Sequence, residues 1–132
     1  MTGGLSLDRF PIHLGLGATA RSQSEFTGME WYEDYGQRTA ADGREGRLVG
    51  AHRFTSSWDS WEMHPSGDEV VLCLEGRMTL HQEHADGTTA VVTIGPGEYA
   101  INPPGTWHTA DIDGEAYALF ITAGEGTQNR PR

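Results

Sequence analysis

Turn-forming residues divide this sequence into short segments, and that division most constrains the fold. Gly95-Pro96-Gly97, Pro103-Pro104-Gly105 and the Asp86-Gly87 dipeptide interrupt the chain repeatedly. Glycine accounts for 18 of the 132 residues, about twice its average share. Because glycine permits tight turns and weakens helices, this pattern favours short strands. No stretch of ten residues shows convincing helical periodicity, so we expect an all-β protein.

Between the turns, side chains alternate with the period of two that is typical of strands. The alternation predicts strands at 48–55, 61–64, 69–75, 77–84, 89–94, 98–101, 106–112 and 115–122. A looser alternation over 29–35 predicts one edge strand in the N-terminal region. Short strands at regular spacing are typical of a β-sandwich or barrel.

The length of the chain predicts a single domain, since 132 residues can bury one modest core. We expect an N-terminal extension with edge strands at 1–47, a barrel at 48–123 and a frayed tail at 124–132. Open sheet edges have to be covered in a folded protein, and the N-terminal extension is long enough to add strands to its own barrel or to a second subunit. A homodimer is therefore expected.

The charge balance excludes several classes of partner. The net charge of −10 disfavours binding to nucleic acids and to anionic membranes, because both need a cationic surface. All nine basic residues are arginine, which excludes lysine Schiff-base chemistry. Cys73 is the single cysteine, which excludes an internal disulfide. The first residues lack the basic and apolar regions of a signal peptide, so none is expected. We expect a cytoplasmic protein.

Four residues have the side-chain types and spacing of a metal site. Glu62 and His64 share one face of a predicted strand, because strand side chains repeat every two residues. A tight turn then returns the chain to Glu69, and His108 follows much later on another strand. This mixed nitrogen and oxygen donor set suits a divalent ion such as Mn, Fe or Zn. Such a set leaves coordination positions for water or a substrate.

At these positions the sequence resembles the cupin family, whose motifs are written G-x5-H-x-H-x3,4-E-x6-G and G-x5-P-x-G-x2-H-x3-N. The residues that match the first motif are His64, Glu69 and Gly76, and those that match the second are Gly97, Pro103, Gly105 and His108. The resemblance covers about residues 48–122. It implies a small jelly-roll barrel with a metal at its mouth, held by His64, Glu69 and His108.

Glu62 stands where the family motif has its first histidine. A carboxylate there can act as a fourth ligand, which would favour harder ions such as Mn or Fe over Cu. Alternatively, Glu62 is a catalytic acid or base beside the metal, with its pKa raised by burial. A third alternative is a barrel that binds its ligand without metal. The ligand role is favoured, because Glu62 lies two residues from His64 as the family's paired histidines do.

The expected function is that of a small metal-binding cupin, leaning towards an enzyme that acts on a small organic molecule chelating through oxygen. A dioxygenase and an isomerase or lyase both fit such a centre. The alternative is a non-catalytic module that binds or senses a metal or small molecule, since one fold hosts many functions. Four further residues are candidates for the pocket wall, namely His52, Trp61, Tyr99 and Trp107. His81 and His84 are expected to lie outside the site.

Overall fold

The computed structural model describes residues 3–132. Nine antiparallel strands form the fold. They are β1 (Ile12–Gly15), β2 (Thr19–Ser22), β3 (Arg47–Phe54), β4 (Ser60–Met63), β5 (Glu69–Glu83), β6 (Thr89–Ile94), β7 (Tyr99–Asn102), β8 (Trp107–Thr122) and β9 (Gln128–Pro131). One α-helix, α1 (Met29–Arg38), and two short 3-10 segments, Leu16–Ala18 and Ala40–Glu45, complete it. The all-β jelly-roll prediction is confirmed.

Two long strands, β5 and β8, connect the whole sheet. One path runs in the order β2-β1-β3-β8-β4-β9, and β5 pairs with β8 along most of its length and also with β6 and β7. The sequence predicts two strands for each long strand, because glycines interrupt the alternation. In the structure, Gly76 and Gly114 lie inside β5 and β8, where their positive φ angles of 78° and 83° permit a local bend.

The neighbouring strands β5 and β8 supply most of the inward-facing side chains of the core. Its buried side chains include Val71, Met78, Leu80, Ala110 and Ala118, all 0% exposed. Cys73 is also fully buried in this cluster, where it acts as a small apolar side chain.

The predicted edge strand at 29–35 is wrong, because this segment is the helix α1. Trp31 and Tyr35 are four residues apart, and their rings stack at 5.3 Å with an angle of 6° between the planes. That contact needs the 3.6-residue period of a helix, in which i and i+4 share a face. In the proposed strand, Glu33 would occupy a position that the alternation requires to be apolar. This charged residue is the local evidence against a period of two. The expectation that the chain has no ten-residue helix fails with it.

The C-terminal residues also differ from the expected frayed tail. β9 pairs with β4, with Trp61 opposite Arg130 and Met63 opposite Gln128. The N-terminal strands join the same sheet through β1, which pairs with β3. Both ends of the described chain therefore contribute strands to the barrel. Within residues 3–132, no helix has the length and apolarity needed to cross a membrane.

Candidate metal centre

The four residues singled out in the sequence lie together at one end of the barrel. Glu62 is on β4, His64 follows that strand, Glu69 begins β5 and His108 is near the start of β8. One nitrogen or oxygen atom from each of the four lies within 4.8 Å of the others. The register of the sheet explains part of this convergence, because Glu62 is the direct cross-strand partner of His108. Gly105, with φ of 76°, turns the chain before His108 and donates its N–H to the carbonyl of His64.

Glu69 lies between the two imidazole rings. Its Oε2 is 3.1 Å from His64 Nε2 and its Oε1 is 3.1 Å from His108 Nε2. The Oε2 atom of Glu62 is farther away, at 3.7 Å from His64 Nε2 and 3.8 Å from His108 Nε2. The side chain of Glu69 is 3% exposed, whereas that of Glu62 is 37% exposed. Glu69 is thus an interior member of the cluster and Glu62 is its solvent-facing member.

The other ring nitrogen of each histidine, Nδ1, contacts an oxygen atom outside the cluster. His64 Nδ1 lies 2.8 Å from the Thr127 hydroxyl, which donates its own proton to the carbonyl of Gly124. His108 Nδ1 lies 3.3 Å from the carbonyl oxygen of Thr106. Both partners can only accept, so each Nδ1 carries a proton and donates it. The Nε2 atoms of both rings point into the cluster, where they are buried and lack a hydrogen-bond partner.

The electrostatics of the cluster demand a positive charge at its centre. Burial alone would raise the pKa of Glu69, but the close imidazoles of His108 and His64 outweigh this effect and lower that pKa. Burial alone would lower the pKa of His108, but Glu62 and Glu69 outweigh it and raise that pKa to about 9. A proton on Nε2 supplies positive charge in the metal-free chain, and a divalent cation would supply more.

Three further residues orient Glu69, and the sequence analysis missed them. Asn102 donates to Glu69 Oε1 at 3.1 Å, and Thr122 donates to Oε2 at 2.6 Å. Gln82 in turn donates to the side-chain oxygen of Asn102 at 2.8 Å. Gln82 could have been noticed in the sequence, since it is a polar residue on the inward face shared by Met78 and Leu80. Nothing local indicates that Thr122 reaches Glu69.

The donor set fits a metal ion. Ligands about 2.1 Å from an ion lie about 3.0–3.4 Å from one another in octahedral or tetrahedral geometry. The two 3.1 Å contacts of Glu69 match that separation, while Glu62 would need to move by a few tenths of an ångström. Two imidazoles held by their Nδ1–H groups are typical of metal-ligating histidines, because the second hydrogen bond fixes the ring orientation. The orphaned Nε2 atoms therefore fit the ion that the family resemblance implies.

A large cavity adjoins the cluster. Its volume is about 1090 Å³, and Glu62, His64 and Glu69 form part of its wall. Aromatic side chains make up much of the remainder, namely Phe26, Tyr32, Tyr35, His52, Phe54, Trp58 and Phe120. No arginine lies on this wall among the described residues. The cavity is thus suited to a small, mostly apolar molecule that places oxygen atoms at the cluster.

Two of the wall residues face the carboxylates. Burial raises the pKa of Tyr32 to about 12, with added contributions from the charges of Glu62 and Glu69. The Tyr32 phenol therefore stays protonated and can donate a hydrogen bond within the cavity. Burial lowers the pKa of His52, and this effect is partly opposed by the charge of Glu62.

Of the four predicted wall residues, only His52 lies on this cavity. Trp61 and Trp107 directly neighbour Glu62 and His108 in strands, so alternation turns them to the opposite face, where the Arg130 guanidinium lies over both rings. Tyr99 is 63% exposed on β7. The prediction that these three line the pocket is wrong for that geometric reason.

The remaining histidines lie outside the four-residue cluster, as expected for His81 and His84. His81 pairs with Asp111 at 2.7 Å, and His84 contacts the Thr106 hydroxyl at 3.2 Å. His13, which carried no signal in the sequence, is buried at 2% exposure and contacts both Tyr35 and Asp42.

Comparison with solved structures shows the fold. The chain is similar to an oxalate oxidase, with a TM-score of 0.54 and 17% identity over 61% of this chain and 44% of that one. It is also similar to a mutant of Bacillus subtilis oxalate decarboxylase, with a TM-score of 0.54 and 12% identity over 73% and 26% of the two chains. Hydroquinone 1,2-dioxygenase from Sphingomonas sp. TTNP3 gives a TM-score of 0.50 and 15% identity over 58% of each chain.

The chain spans about half the length of the solved structures that it matches first, 54% and 44%. No curated protein matches it at a significant level. The family model described as "Cupin domain" matches residues 55–124, which is more than half of the chain and includes all four residues of the cluster. This chain belongs to the cupin family.

Proposed function

We propose that this protein binds one divalent metal ion through Glu62, His64, Glu69 and His108. One observation carries the proposal: two buried imidazole Nε2 atoms, both without a hydrogen-bond partner, converge on carboxylate oxygens. Buried polar groups are nearly always satisfied, so two unpaired nitrogen atoms beside the same carboxylate support a cation-binding site. Two carboxylates would neutralise a divalent charge, and their hard oxygen donors favour Mn or Fe, with Zn also compatible.

We further propose that the centre is catalytic and acts on a small organic molecule that chelates through oxygen. A bound ion would polarise a carbonyl or hydroxyl oxygen of such a molecule, and a redox-active ion would in addition support reaction with oxygen. The protein residues have separate tasks: Glu69 and the histidines are rigidly held, whereas Glu62 lies half-exposed on the cavity side. Glu62 can thus bind the ion and also reach a substrate proton.

Two reaction classes match these tasks. One is oxidative cleavage, and the other is proton transfer in an isomerase or lyase. The solved structures of similar fold include enzymes named for oxalate and for hydroquinone, both small molecules with oxygen donors. The competing function, a module that binds or senses a metal without turnover, would show metal and ligand binding but no product.

Elemental analysis of protein purified without a chelator tests the metal proposal. We expect close to one divalent ion per chain, and strong loss of that ion in His64→Gln and His108→Gln. The matched control is His81→Gln, because His81 is a histidine that pairs with Asp111 outside the cluster. A folded wild-type protein that takes up no ion even when Mn, Fe(II) or Zn is supplied would contradict the proposal.

We also propose a cytoplasmic homodimer. The free thiol of Cys73 suits a reducing compartment. Tyr99 and Ile101 expose 63% and 47% of their surface on β7, and Leu74 exposes 37% nearby on β5. A second copy of the chain would cover this apolar area. Light scattering at micromolar concentration should give twice the monomer mass of 14.4 kDa, and a value near the monomer mass contradicts the dimer.

A further inference from the structure

A second cluster of polar side chains lies on the same cavity, built from the N-terminal region. His13 on β1 contacts the Tyr35 hydroxyl with Nδ1 at 2.6 Å and Asp42 Oδ2 with Nε2 at 2.7 Å. Tyr35 comes from α1, and Asp42 comes from the 3-10 segment Ala40–Glu45. His13 is 2% exposed, so this histidine is enclosed between its two partners. We call these three residues the His13 cluster.

A neutral imidazole at His13 gives the hydrogen bonds of the His13 cluster a defined direction. A carboxylate only accepts, so His13 Nε2 donates its proton to Asp42. In the neutral imidazole the other nitrogen, Nδ1, is then bare and accepts the hydroxyl proton of Tyr35. With a neutral His13, the Tyr35 hydroxyl directs its proton to the imidazole and presents its oxygen as an acceptor. In that arrangement it accepts a hydrogen bond from a ligand rather than donating one.

Glycines shape the surroundings of the His13 cluster. A Cβ on Gly46 would lie 2.9 Å from the His13 ring, and a Cβ on Gly15 would lie 2.7 Å from Asp42 Oδ2. These positions therefore let the backbone approach the imidazole and carboxylate closely. A Cβ on Gly36 or Gly43 would meet nothing within 4 Å, and both residues line the cavity. The cluster is thus tightly packed on the side of Gly15 and Gly46, and there is open space beside Gly36 and Gly43 on the cavity wall.

The sheet register relates the His13 cluster to the metal centre. His13 pairs with Leu48, Leu48 pairs with Thr122, and Thr122 donates to Glu69. This row crosses β1, β3, β8 and β5, so three interstrand spacings separate His13 from Glu69, or roughly 14 Å along the sheet. His13 and Tyr35 line the same cavity as Glu62, His64 and Glu69. A molecule long enough to extend along this cavity can therefore contact both clusters.

We propose that the His13 cluster is a second binding site, at which Tyr35 accepts a hydrogen bond from a hydroxyl group of the ligand. The inference rests on the proposed function, because the other end of that ligand chelates the metal. The ligand class is a small, flat, mainly apolar molecule with adjacent oxygen donors at one end and a hydroxyl at the other. A carboxylate at the second end is disfavoured, because the Tyr35 hydroxyl is engaged with His13 and the Asp42 carboxylate is close by.

Two catechols that differ in one group test this inference. Both 4-(2-hydroxyethyl)catechol and 4-propylcatechol offer adjacent oxygens to the metal, and they have nearly the same shape. Calorimetry on the metal-loaded protein gives the ratio of their dissociation constants. We expect the wild type to prefer the hydroxyethyl compound, and Tyr35→Phe to shift the ratio about 3- to 10-fold towards the propyl compound. Tyr99→Phe, the same change outside the cavity, should leave the ratio at its wild-type value.

The outcomes separate the two proposals. If neither catechol binds and no metal is retained, the proposed function fails and this inference fails with it. If metal and both catechols bind but Tyr35→Phe leaves the ratio unchanged, the His13 cluster has only a structural role. The wild-type protein also tests the inference without any variant. If it binds 4-propylcatechol more tightly than the hydroxyethyl compound, the inference is overturned, even if Tyr35→Phe does not fold. A structural role would lower the melting temperature without moving the ratio.

Discussion

Thr127 accepts a hydrogen bond from His64 Nδ1 at 2.8 Å and thereby links the segment before β9 to the metal centre. The two residues lie 63 positions apart in the sequence. The hydroxyl keeps its own proton engaged on the Gly124 carbonyl at 2.8 Å, so it presents a lone pair to the imidazole. This contact fixes which nitrogen of His64 faces Glu69.

Replacing Thr127 should therefore weaken metal binding. In Thr127→Val the shape of the side chain is kept but the hydrogen-bond acceptor is lost, and we expect about a 10-fold rise in the metal dissociation constant. Competition with a chelating dye measures this constant. Thr89→Val is the matched control, because Thr89 lies exposed on β6. Equal affinities in the two variants would show that Thr127 does not orient His64.

Glu62 is expected to act as a ligand. Glu62→Gln exchanges an anionic donor for a weak neutral one, so the metal content should fall while the barrel stays folded. If Glu62 is instead an acid or base, the metal content should hold and turnover should drop by about 10²–10⁴-fold. Glu33→Gln on the exposed face of α1 is the control. Full metal stoichiometry in Glu62→Ala would rule out the ligand role.

A histidine at position 62 restores the first family motif. Glu62→His should retain a metal but shift the preference towards Cu or Zn, because an imidazole replaces a carboxylate. Elemental analysis after equilibration with a mixture of ions measures the shift. An unchanged preference would show that Glu62 does not contact the ion.

Metal binding should release protons at neutral pH. The pKa of His108 in the metal-free chain is about 9, so its imidazole is protonated at pH 7 and must lose that proton to ligate. The apparent affinity should therefore rise as the pH increases towards 9 and level off above it. Calorimetry in two buffers of different ionisation enthalpy counts the protons. An affinity that is independent of pH between 6 and 9 would contradict this expectation.

Gly76 should tolerate no side chain. Its φ is 78°, and a Cβ would lie 2.0 Å from the Glu115 carbonyl oxygen. Gly76→Ala thus combines backbone strain with a collision against β8, and we expect a loss of at least about 3 kcal/mol in the free energy of unfolding. At Gly87, φ is 87° but a Cβ would meet nothing within 4 Å. Gly87→Ala should lose only about 1–2 kcal/mol, and equal losses in urea unfolding would refute the role of the collision.

The sequence by itself determined β3, β4, β6, β7 and the two parts of β5 and of β8, and it determined the membership of the four-residue cluster. Strand alternation and turn chemistry are local properties, since side-chain direction repeats every two residues and Gly or Pro sets each turn. The motif spacing then placed His64, Glu69 and His108 correctly relative to those strands. The same alternation failed at Trp31 and Tyr35, where a short apolar pattern also fits a helix and the tertiary contacts of the helix decide.

Only the tertiary structure decided what surrounds the metal centre. Thr122 and Glu69 are 53 positions apart, and Asn102 and Glu69 are 33 apart, so their contacts depend on strand register rather than on local pattern. The His13 cluster joins a strand, a helix and a 3-10 segment in the same way. Hydrogen bonds between distant residues leave no period in a sequence, because each partner is determined by how separate elements pack together.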